Sequence, residues 1–152
     1  MSAKSKGKYE SIKDIPRDIK IGLVISDYHK QYTSQIEEFN VNYLKEQWFK
    51  DIEVFHLPWS FEIPSFVSEL VDTEDYDLII PIWVIIKLNL PHYDYICAEI
   101  FRWLMDISID DETPIIPWII VCDNEKQVKK LLNENYAEYW LNFLKEILRT
   151  FD

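Results

Sequence analysis

The chain has 152 residues, of which 48% are apolar and 15% aromatic, and a formal net charge of -11. That length and apolar content suit one domain with a real core. The acidic balance excludes a nucleic-acid binder, whose phosphate-contacting surface needs clustered Lys and Arg.

The basic start, MSAKSKGK, has no apolar segment behind it, so it reads as neither signal peptide nor membrane span. It reads as a flexible tail over 1–18, ahead of a single domain over 19–152. KIGLVIS at 20–26 is a buried strand. Ser34 and Glu37 have capping-box spacing, and Ile36, Phe39, Tyr43, Leu44 and Gln47/Trp48 follow with helical periodicity. Residues 52–57 form a second strand. Pro64–Val71 reads as a helix with proline in its first turn. DLIIPIWVII at 77–86 is too apolar to be solvated on either face, which predicts a fully buried third strand. Pro91 opens a long helix to about Ile109, with Ile96, Ile100, Trp103, Leu104 and Ile107 on one side. Residues 115–121 form a fourth strand. Helices follow over Asn124–Asn133 and Ala137–Phe151.

Strand and helix alternate, which predicts an α/β fold of three α/β/α layers around a four-stranded, mainly parallel sheet. Pro81 and Pro117 fall inside predicted strands, where each removes a ladder donor, so the ladder is expected to break locally there. Cys97 and Cys122 lie in different elements without metal-ligand spacing, and read as buried free thiols in a reducing cytosol. Ligand sites in such sheets lie at the carboxyl ends of the strands. Here those ends are Ser26–His29, Pro58–Glu62, Ile86–His92 and Val121–Asn124.

Read in order, these ends carry SDYH at 26–29, PWSFEIP at 58–64 and KLNLPHYDY at 87–95. Together they resemble the lumazine synthase family, whose fold is flavodoxin-like. The resemblance implies a cytoplasmic transferase of riboflavin biosynthesis. It condenses 5-amino-6-ribitylamino-pyrimidinedione with 3,4-dihydroxy-2-butanone 4-phosphate, losing phosphate. It further implies no metal or organic cofactor, no nucleic-acid or membrane partner, and a homopentamer or an icosahedral shell of twelve, with sites between neighbouring subunits.

Roles carry over by matched position. Tyr28 takes the place of the aromatic residue that stacks on the pyrimidine ring. Ser60, Phe61 and Glu62 hold the ribityl chain and ring edge, and Val84, Ile85 and Ile86 line the ring pocket. His92 matches the proton-transfer histidine. Lys87 matches the arginine before the phosphate loop. Each has a plainer alternative: Glu62 complementing a helix dipole, His92 as a surface or capping residue, and Tyr28 as packing. His29 and His56 have no motif behind them and read as structural.

The pattern fails in the phosphate half. The family's Gly-x-Thr loop is Leu88-Asn89-Leu90, and Leu131 stands where the family has its phosphate-binding arginine. Asn135 and Tyr139 replace lysines. Lys129 and Lys130 are close in sequence, but helical geometry turns them away from position 131. Charge-assisted hydrogen bonds contribute roughly 1.5–3 kcal/mol each, so the phosphate substrate is expected to bind weakly. Two other classes of protein fit the same residues: a non-catalytic shell or scaffold, and a flavin- or lumazine-binding protein.

The chain contains two glycines and six tryptophans, against an average glycine usage of about 7%. By the resemblance, Trp48, Trp59, Trp83, Trp103, Trp118 and Trp140 all align with positions commonly glycine. Overpacking costs typically about 1–3 kcal/mol per site, so six real substitutions could offset the whole stability of a domain, about 5–15 kcal/mol. The pattern expected of a misread code fits: a gene whose UGA codons specify glycine, translated with a table in which UGA specifies tryptophan. The alternative is a diverged chain that has filled its glycine positions with aromatics.

Overall fold

The computed structural model describes residues 16–133 apart from 59–61, 74, 88–89 and 112. Along this stretch run β1 (Lys20–Ser26), α1 (Lys30–Glu46), β2 (Asp51–Leu57), α2 (Ile63–Asp72), β3 (Leu78–Ile86), α3 (His92–Asp111), β4 (Trp118–Cys122) and α4 (Glu125–Asn133). The expected helix over 137–151 lies outside the described residues. All strand pairs are parallel, in the order β2-β1-β3-β4.

The alternation of side chains along the strands sorts the core into two layers. Leu23, Ile25, Ile82 and Val84 point to one face and pack with Ile36 and Leu44 of α1 and Val128 of α4. Val24, Ile79 and Ile85 point to the other and pack with Ile63 and Val67 of α2 and Ile100, Leu104 and Ile107 of α3. The result is the expected three-layer α/β architecture, with a wholly parallel sheet.

Both prolines sit at a break in the ladder. Ile79 and Ile115 form an isolated bridge, and regular pairing resumes only at Ile82 with Trp118. Ile79 and Lys87 both donate their N–H groups toward the β4 side, to Pro114 and Cys122. Alternate residues of a parallel strand address the same neighbour, so the donor that Pro81 lacks would face this gap. Pro117 lies in the same gap, which shortens β4 to Trp118–Cys122 rather than 115–121. Gly22 has its own reason: a Cβ there would meet the Tyr76 ring at 3.1 Å. The Tyr76 hydroxyl donates to Glu53 at 2.5 Å and Lys20 lies over the ring, closing the amino end of the sheet.

The capping box does not form. Helix α1 begins four residues before Ser34, whose hydroxyl donates back to the Lys30 carbonyl at 2.6 Å. Its spacing to Glu37 is a helix-interior coincidence, since serine can bond to the preceding turn instead of capping. Cys97 and Cys122 are buried free thiols, one in each core layer.

At the other end of α1 the chain makes a Schellman closure. Phe49 N–H donates to the Leu44 carbonyl at 3.0 Å and Trp48 N–H to the Lys45 carbonyl at 2.9 Å. Leu44 and Phe49 are both buried, supplying the apolar contact that accompanies the motif. The residue in the left-handed position, where glycine is preferred, is Trp48, at φ 70°. Its side chain is 73% exposed, so it gains little from packing. Trp83 and Trp118 are buried in opposite layers. Adjacent register positions on β3 and β4 point them apart. Trp59 and Trp140 lie outside the described residues.

Trp48→Gly is expected to raise the unfolding free energy by about 0.5–1 kcal/mol, because it relieves the left-handed strain of roughly 1–2 kcal/mol but adds freedom to the unfolded chain. Urea denaturation measures it through a higher midpoint at unchanged slope. The gene is expected to carry UGA at codon 48 and at the other five tryptophans; UGG at most of them would refute the misread code.

Candidate functional site

The strand order reverses between β1 and β3: the chain leaves β1 toward β2 on one side and returns to β3 on the other. The carboxyl edge at such a switch point is where open α/β sheets bind ligands. Two groups of sequence-singled residues meet this edge, one beyond β1 and β2, the other beyond β3 and β4.

Beyond β1, the turn Asp27-Tyr28-His29 leads into α1. Asp27 N–H donates to the Leu57 carbonyl at 2.8 Å, tying the turn to the end of β2. Tyr28 N–H donates to the Ser26 hydroxyl at 3.3 Å. His29 takes the left-handed conformation, φ 60°, at the N-cap of α1. This strain turns the chain sharply, and Tyr28 is left 54% exposed, edge-on to the His29 ring at 4.6 Å. Tyr28 is thus an offered aromatic face rather than core packing. Burial lowers the His29 pKa, against the opposing pull of Glu125.

Glu62 is the N-cap of α2, is exposed, and makes no side-chain capping bond; its carbonyl accepts from the Ser65 hydroxyl at 3.1 Å. Pro64 sits at the start of α2, as predicted. Ser60 and Phe61 lie outside the described residues. Val84, Ile85 and Ile86 are all buried, Val84 and Ile86 in the α1–α4 layer and Ile85 in the α2–α3 layer.

Beyond β3, Lys87 N–H donates to the Cys122 carbonyl at 2.8 Å, which brings the ends of β3 and β4 together. Its ammonium donates to Asp94 of α3 at 2.8 Å and lies 3.6 Å from Asp123, just after β4. The hydrogen bond to Asp94 raises the Lys87 pKa, with Asp123 adding to it. His92 is exposed at the first position of α3, its ring 4.6 Å from that of Tyr93. Leu131 is half-buried against the α1–α4 layer. Leu88 and Asn89 of the loop, and Asn135 and Tyr139, lie outside the described residues.

Sequence reasoning missed three groups. Asp94 and Asp123, which flank Lys87, come from different elements, so no spacing pairs them. Likewise His56 of β2 stands between two carboxylates: its Nδ1 lies 2.7 Å from Asp27 and its Nε2 3.1 Å from Glu37 of α1. Glu37 is thus a partner of His56, not of Ser34. Among the described residues no group of three His, Cys, Asp or Glu side chains is placed to hold a metal ion, and no helix is long and apolar enough to cross a membrane.

These features define a three-layer α/β protein with a polar site at the carboxyl edge of a parallel sheet. The family model described as 6,7-dimethyl-8-ribityllumazine synthase matches residues 18–151. A 6,7-dimethyl-8-ribityllumazine synthase from Limosilactobacillus reuteri (strain DSM 20016) is 30% identical over 107 residues, which cover 70% of each chain. The chain belongs to the 6,7-dimethyl-8-ribityllumazine synthase family.

An anion approaching Lys87 must compete with two carboxylates. Asp94→Asn and Asp123→Asn are each expected to strengthen binding of inorganic phosphate about two- to fivefold at low salt, the scale of an exposed ion pair, and less at high salt. Calorimetric titration with inorganic phosphate measures this. No gain in either variant would mean that Lys87 is not the anion's partner.

Proposed function

We propose that the chain is a transferase of riboflavin biosynthesis, a lumazine synthase with a working pyrimidine half and a weakened phosphate half. In this reading Tyr28 stacks on the pyrimidinedione ring, Ser60, Phe61 and Glu62 hold its edge and ribityl chain, and the carboxyl end of β3 at Val84, Ile85 and Ile86 lines the ring pocket. His92 moves protons, and Lys87 supplies the cation nearest the phosphate. The observation that carries the reading is the contrast between the halves. Tyr28 is presented, open, on a fixed turn at the switch point, while Lys87 is already engaged by Asp94 and Asp123. The partly buried packing of Leu131 also supports it, because an apolar side chain replaces none of a charge-assisted phosphate contact.

Calorimetry with each substrate alone is expected to find the pyrimidine bound more tightly than the ketone phosphate. Leu131→Arg combined with Leu88→Gly and Leu90→Thr is expected to raise turnover, since cations that hold the leaving phosphate also stabilise its developing charge. In that background His92→Ala is expected to lower the rate roughly 10²–10⁴-fold. A restored variant that binds the pyrimidine yet stays inactive would support a non-catalytic lumazine binder instead.

The exposed apolar side chains of α3 support assembly, since Phe101, Met105 and Ile109, four residues apart, share one helix face. The proposed unit is a homopentamer or a shell built from it. Light scattering at micromolar concentration is expected to give a mass that is a multiple of five chains; a monomer would remove both the shell and a site shared between subunits.

A further inference from the structure

We propose that His56 is a positioning residue for the ring half of the site, fixing the turn that presents Tyr28 by donating one hydrogen bond to Asp27 and another to Glu37. This rests on the reading of Tyr28 as the ring-stacking side chain. The geometry is a double grip. At the end of β2, the Leu57 carbonyl holds the Asp27 backbone and the adjacent His56 ring holds the Asp27 carboxylate, at 2.8 and 2.7 Å. The second ring nitrogen reaches across to Glu37 at 3.1 Å and so links the turn to the body of α1. The turn needs such anchors, because His29 within it holds a left-handed backbone.

Both ring nitrogens face carboxylate oxygens, which accept but do not donate. A neutral imidazole has one N–H and can satisfy only one of them, whereas imidazolium has two. The charged groups facing the ring are Asp27 from the turn and Glu37 from α1. Along the sheet its neighbours on the same face are apolar: Val54 on β2 and Ile25 across the ladder on β1. Burial works against the positive charge, but the two carboxylates outweigh it and hold the His56 pKa above its ordinary value. A raised histidine pKa means that the grip is complete below the ordinary histidine range and is lost as pH rises through the raised value. Ring binding therefore weakens toward alkaline pH.

The test is fluorescence titration of the full chain with 6,7-dimethyl-8-ribityllumazine between about pH 5.5 and about pH 9, a range that spans histidine titration. Using one probe throughout cancels its own ionisation when proteins are compared. Relative to His56→Gln, the unaltered protein is expected to bind about two- to fivefold more tightly at low pH, the scale of a half-exposed ion pair, and to lose that advantage at high pH. His56→Lys, which keeps several donors and does not titrate in this range, is expected to retain the tighter binding at every pH. Superimposable profiles for the unaltered protein and His56→Gln would overturn the proposal. Tyr28→Ala separates the two ideas. If it weakens the probe while those profiles coincide, the ring reading stands and the role of His56 falls; if it binds the probe unchanged, the ring reading itself fails.

Discussion

The constraint on which the structure depends is the burial of β3 on both faces. All nine of its residues are buried, so its peptide groups cannot turn to water and must be paired by strands on both sides. That requirement puts β1 on one edge and β4 on the other, and it obliges two helical layers to cover the two sets of side chains. The order β2-β1-β3-β4 meets it, with β3 inside the sheet and a switch point between β1 and β3. Where β3 cannot pair, at Pro81, the opposite segment carries no regular ladder, while the donor missing at Pro117, next to Ile116 whose N–H faces β3, would point to the outer side of β4.

The same edge shows how an acidic protein manages its few cations. Lys87 and His56 each stand between two carboxylates, and in both cases the carboxylates come from elements other than the cation's own. The consequences differ. Around Lys87 the carboxylates occupy the charge that an incoming phosphate would need. Around His56 they draw charge onto a side chain that would otherwise be half neutral near its ordinary pKa, and they tie a strained turn to the sheet and to α1.

Trp48 connects the sequence puzzle to backbone geometry. A Schellman closure needs a left-handed residue, and the hydrogen bonds around Trp48 form one whether or not the side chain suits it. The backbone here asks for glycine, as the resemblance does on separate grounds. Trp83 and Trp118 give no such signal, since each is accommodated in its own layer of the core.

The sequence by itself determined the elements among the described residues, their order and the parallel character of the sheet, because hydrophobic period and length are local properties. KIGLVIS and LIIPIWVII could be little else than buried strands, and FEIP and PHYDY marked the segments that follow β2 and β3. It also determined that Tyr28, Glu62, Lys87 and His92 lie at that edge, since each follows a strand within a few residues. What it left undecided was how those groups are held. Ser34 and Glu37 had the spacing of a cap, yet the helix began earlier, because the left-handed backbone at His29 set its start. Only the tertiary structure brought Asp27 and Glu37 to His56, and Asp94 and Asp123 to Lys87. These pairs join residues up to 36 positions apart, as Lys87 and Asp123 are, and a Coulomb contact depends on distance in space, which no local periodicity encodes.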